Sequence, residues 1–229
     1  MSEIDRFKFE DKGYDFPFYN KNPYIPKWGW VVLFIALIVG TILSFINSIP
    51  ILILACAVYI VPVLYFLKWD YKAIFRKLSP RDLGLAAALF AGYVIYAVIM
   101  TFVLKQFGIV SPVDVGPVSA ISFVELIFAM MCEEMLKFIP LIFFLRVIYK
   151  YTSNRKLSVM VSVAIIMFMF ACLHAYTPIM LVYAIFVQGI GSIFEFYGYI
   201  KTKNIFVPYL THLFTDAFAL FLIMNGIYI

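Results

Sequence analysis

Residues 83–104 read LGLAAALFAGYVIYAVIMTFVL and contain no charged side chain. About 20 consecutive apolar residues are what an α-helix needs to cross the hydrocarbon of a bilayer. The rest of the chain has the same character. Of 229 residues, 65% are apolar and 14% are charged, and mean hydropathy is +0.98. Soluble domains are about 45–50% apolar and about 25% charged. A chain this short leaves much of its surface exposed and cannot bury such an excess. A soluble globular protein is therefore excluded, and so is a disordered one. The composition predicts an all-α, polytopic transmembrane helix bundle.

Six further apolar runs flank this one, at about 28–46, 51–67, 118–148, 157–174, 179–200 and 205–229, giving about seven spans. Asn47, Ser48 and Pro50 break the first pair. A loop with Pro112, Asp114, Gly116 and Pro117 precedes the fourth run. Residues 1–27 are polar and aromatic-rich and are expected to lie at the cytoplasmic interface, with Trp28 and Trp30 marking the headgroup level. Residues 28–77 form an expected transmembrane hairpin, and 78–229 the core that carries the site. Net charge is +5, and all 18 Lys and Arg except Lys105 and Lys137 fall on alternate connections that share the side of the N-terminus. The positive-inside rule then puts the N-terminus in the cytoplasm of a multi-pass cell-membrane protein. The basic excess reads as topology and lipid contact, with no nucleic acid among the expected partners. Cys56, Cys132 and Cys172 all sit in apolar runs without CxxC spacing, so they read as small packing residues.

Ionisable groups inside a bilayer are costly and mark function by default. Here they are Glu125, Glu133, Glu134 and Lys137 on the fourth run, His174 at the end of the fifth, Glu195 on the sixth, and His212 and Asp216 on the seventh. Both histidines of the chain are among them. Glu133 and Lys137, His212 and Asp216, and Phe170 and His174 are each i,i+4 and share a helix face. Glu134 is turned by about 100° from Glu133. Carboxylates and imidazoles on three helices supply a general base, an oxyanion stabiliser and an orienting partner, or a ligand set for a divalent metal. The same groups also suit an intrahelical ion pair, an interhelical polar clamp, or a proton relay in a transporter, although no internal repeat supports the last. Cys132 as a nucleophile lacks a group that would hold it as thiolate. Depth is consistent for Glu133, His212 and Asp216. His174 fits only if the fifth helix begins outside the bilayer.

Glu133-Glu134-Met-Leu-Lys137, Phe170-Ala-Cys-Leu-His174 and His212-Leu-Phe-Thr-Asp216 resemble, in this order, the three motifs of the CAAX protease and bacteriocin-processing family, also called the Abi family. The resemblance covers roughly residues 78–220. Lys137 stands one position earlier than the family's arginine, which is similar to the EExxK form of the PrsW-type branch, and Asp216 stands where the family often has Asn. The resemblance implies an intramembrane endopeptidase acting on a membrane-associated protein or peptide at the lipid bilayer. Glu133 would activate water, His174 would assist proton transfer, and His212 and Asp216 would stabilise the oxyanion. Glu134, Lys137, Phe170 and Glu195 would support them. It implies no cofactor, with zinc held by Glu133, His174, His212 and Asp216 as the metal-dependent alternative. Abi-type relatives imply a second function, a non-catalytic membrane interaction protein in bacteriocin self-immunity or sensor-kinase regulation.

Overall fold

A computed structural model describes residues 5–21, 23–46, 48–110 and 118–227. The expected breaks at Asn47 and at Pro112, Asp114, Gly116 and Pro117 lie outside the described residues. Regular structure among the described residues is helical throughout: α1 Lys27–Ser44, α2 Ile49–Phe66, α3 Pro80–Gln106, α4 Ala120–Thr152, α5 Arg155–Leu173, α6 Pro178–Ala184, α7 Ile193–Thr202 and α8 Phe206–Met224. A π-helical turn, Ile185–Gly189, joins α6 to α7, so that Pro178–Thr202 forms one rod. Six rods are long and apolar enough to cross a membrane. The seventh, α4, is the longest helix at 33 residues and carries Glu125, Glu133, Glu134 and Lys137. The chain is thus a multi-pass, all-α membrane protein.

Local chemistry sets the helix ends. Ser79 accepts from the Asp82 backbone N–H while Asp82 Oδ2 accepts from the Ser79 N–H, and Pro80 follows at the first helical position. This reciprocal cap satisfies two orphan donors of α3. The Asn154 side chain accepts from Leu157 N–H at 3.0 Å and starts α5 directly after Ser153, the left-handed end of α4. Thr177 and Pro178 do the same for α6. Glu133 lies nineteen residues before the end of α4, and His174 nineteen after the start of α5. The two therefore stand level across an antiparallel pair, which resolves the depth of His174.

The α1–α2 hairpin packs on α4, and α8 packs against α3, α4 and α7. Close approach of α1 to α2 requires Gly40, because a Cβ there would meet the Tyr59 ring at 2.6 Å. Outward side chains such as Ile38, Ile42, Ile95 and Phe102 are more than half exposed, as lipid-facing positions are.

Residues 5–21 and 23–26 pack onto the helix bundle. Phe16, Phe18, Tyr19 and Ile25 are buried and join the main apolar cluster with α1, α2, α4, α5 and α7. Trp28 is 56% exposed. Trp30 is edge-on to Phe18 and Phe143. Glu10 pins this strap. It accepts two bonds from Arg155, at 2.5 and 2.7 Å, and one from Lys203 at 2.6 Å, and all three side chains are fully buried. Burial alone would raise the Glu10 carboxyl, but the bonds from Arg155 and Lys203 outweigh it and hold the group below the ordinary glutamate range. A carboxylate depressed on folding contributes stability above its unfolded value of 4.5 and loses it as acid titrates below that. Acidification through this range should expose residues 5–26 to protease. Glu10→Gln should do the same near neutrality, at a stability cost of about 3–5 kcal/mol, because Lys203 is left buried without its carboxylate. Equal protease resistance of both forms at all pH values would contradict the anchoring role.

Candidate functional site

The site is built where α4, α5, α7 and α8 meet. Adjacent glutamates on α4 diverge. Glu134 turns into the bundle, 5% exposed, and Glu133 is partly exposed at 27%. Lys137, 3% exposed, follows Glu134 at i+3 and pairs with it at 2.5 Å. Lys137 also bonds Glu195 of α7. The i,i+4 spacing of Glu133 and Lys137 suggested a pair, but the ammonium goes to Glu134 and Glu195, which leaves Glu133 free of it.

His212, on α8, places Nδ1 2.8 Å from Glu134 Oε1 and 3.4 Å from Lys137 Nζ. A carboxylate oxygen only accepts, and its contact is the shorter, so His212 Nδ1 carries a proton and donates to Glu134. His174 caps the end of α5, and its Nδ1 donates to the Phe170 carbonyl at 2.8 Å. Both imidazoles therefore turn Nε2 toward Glu133. The Phe170 ring braces them, with its centroid 4.5 Å from His174, 6.2 Å from His212 and 4.7 Å from Lys137 Nζ.

A string of polar atoms results. His174 Nε2 lies 4.0 Å from Glu133 Oε2, which lies 3.7 Å from His212 Nε2, which lies 3.8 Å from Asp216 Oδ2. None of these gaps is a direct hydrogen bond. Each is close to the ~4–4.5 Å that separates two acceptors bonded to one water with legs of about 2.8 Å. His212 is 8% exposed, whereas His174 is 32%, Glu133 27% and Asp216 39%, so the string meets the buried trio at His212 and is more open at both ends. The structure thus brings together Glu133, His174, His212 and Asp216, with Glu134, Lys137, Phe170 and Glu195 beneath them. Glu125, near the start of α4, has no part in the cluster.

Two groups bear on metal binding. Ligand atoms of Glu134, Glu195 and His212 lie within 4.8 Å of one another. The Lys137 ammonium sits on both carboxylates of that group and His212 Nδ1 donates to Glu134, so a cation there would compete with the ammonium. The outer string offers two imidazole Nε2 atoms and two carboxylates, which suits zinc by donor type.

Sequence reasoning missed the bond from His212 to Glu134, the burial of Glu10 with Arg155 and Lys203, and the facing of Cys56 and Cys132. Neither of the last two carries a local signal, because the partners are separated by 145, 193 and 76 residues. No family model matches this chain, and no curated protein or solved structure matches it either.

Proposed function

We propose that the protein is an intramembrane endopeptidase that hydrolyses a peptide bond in a membrane-associated protein or peptide. The observation that carries the reading is the string His174, Glu133, His212 and Asp216, spaced for bridging water and set among membrane-length helices. The order of the three motifs on α4, α5 and α8 adds to it. Glu133 takes a proton from the water that attacks the scissile carbonyl, and His174, whose Nε2 faces Glu133, passes that proton toward the leaving amine. With both carboxylates ionised, Glu134, Lys137 and Glu195 carry one net negative charge. A second proton on His212, at Nε2, balances it and makes that nitrogen a donor to the developing oxyanion. Asp216 faces the same nitrogen and steadies it.

The test is His212→Ala. Cleavage of membrane substrates per molecule of protein in the membrane should fall by about 10²–10³-fold, the usual effect of losing an oxyanion donor. A cellular effect left intact in both His212→Ala and Glu133→Ala would leave a scaffold that binds without catalysis. The proposed reaction needs no metal. Activity of the purified protein should survive chelators, and loss that added zinc restores would assign the outer string to zinc, which would then polarise the carbonyl or the water.

A further inference from the structure

Cys56 on α2 and Cys132 on α4 face each other inside the bundle. Their Sγ atoms are 3.3 Å apart, within S–H···S contact. Their other polar neighbours are backbone carbonyls, Phe128 O at 3.4 Å from Cys56 Sγ and Leu52 O at 3.8 Å from Cys132 Sγ. Neither thiol belongs to a cluster of metal-ligating groups among the described residues. Both are buried and free, whereas Cys172 is exposed on α5. Closing the pair to the ~2.05 Å of a disulfide needs an approach of only about 1.3 Å between sulfurs on two packed helices.

We propose that Cys56 and Cys132 form a site of oxidative modification, a dithiol that hydrogen peroxide, a small bilayer-permeant oxidant, converts into an intramolecular disulfide joining α2 to α4. In the first step one sulfur attacks a peroxide oxygen. The O–O bond breaks, the thiol becomes a sulfenic acid, and its proton leaves with the departing hydroxide as water. In the second step the other sulfur attacks the sulfenic sulfur, the S–O bond breaks, and a second water leaves with the remaining thiol proton. Two thiols are oxidised and one peroxide is reduced to two waters. The second step is intramolecular between atoms already in contact, so the sulfenic acid is trapped before a further oxidant reaches it. The crosslink ties α2 to the turn of α4 that carries Glu133. The proposal goes beyond the peptidase reading and does not depend on it.

The experiment treats the full chain in membranes with hydrogen peroxide, blocks remaining thiols with N-ethylmaleimide after denaturation, and maps the protein by mass spectrometry without reductant. The expected product has lost two hydrogens, takes up maleimide at neither Cys56 nor Cys132, and yields one peptide pair joining them that reductant separates. Its rate of formation should not change on tenfold dilution of the protein. The Cys172→Ser variant, altered at an exposed position, should give the same crosslink. The proposal is overturned if Cys56 and Cys132 both still take up maleimide when Cys172 is fully oxidised, or if either advances to sulfinic acid without a crosslink.

Discussion

Glu133→Gln should reduce substrate cleavage by about 10²–10⁴-fold, the contribution of a positioned general base. The substitution keeps the volume and one acceptor oxygen of the side chain but removes its ability to take a proton. Glu133 is the one glutamate of the cluster that Lys137 does not touch, and it is partly exposed. Its loss as a charge leaves no buried cation unpaired, so the variant should reach the membrane in normal amount and with unchanged thermal stability. Loss of activity with loss of protein would place Glu133 among the structural residues. Full activity would remove it from the reaction.

Lys137 should behave in the opposite way. Lys137→Met strips the cation from Glu134 and Glu195, both about 95% buried or more. Breaking a buried pair from one side costs about 3–5 kcal/mol, because the remaining charge is uncompensated. His212 would also lose the carboxylate geometry that fixes its Nδ1 proton. The expected result is a marked fall in membrane level and thermal stability, with activity lost as a consequence. Lys137→Met combined with Glu195→Gln keeps the net charge of the trio and should recover much of the protein level. If Lys137→Met alone folds and is as stable as the parent, the trio is not the foundation of the site.

The contrast between these two residues marks what a sequence can carry. Span existence was legible, because an uncharged run such as residues 83–104 determines its own environment over 20 or so residues. The candidate site was legible for a related reason. A carboxylate or imidazole within such a run has few tolerable positions, and turning inward toward other polar groups is the common one. What the periodicity could not rank was which neighbour each group would choose. Lys137 is one turn from both Glu133 and Glu134. Glu195 on α7 and Glu134 together take the ammonium on the inner face, which leaves Glu133 without it. The strap was illegible for a different reason. Glu10 sits in a polar segment where a carboxylate in water is the default, and Arg155 reads as one more basic residue at a span end. Their mutual burial depends on three elements far apart in sequence: the strap, α5 and the turn between α7 and α8. The π turn at Ile185–Gly189 likewise follows from contact, since Gly189 lets the rod approach the Met167 carbonyl of α5, where a Cβ would sit at 2.9 Å.

The central claim is that water held by Glu133, His174, His212 and Asp216 cuts a peptide bond within or beside the bilayer. The most direct measurement labels protein N-termini in membranes from cells that carry the parent chain or Glu133→Gln at equal abundance. The account predicts at least one new N-terminus in a membrane-associated protein that is present with the parent chain and missing with the variant. Identical sets of N-termini, with the cellular effect of the protein intact in Glu133→Gln, would contradict it.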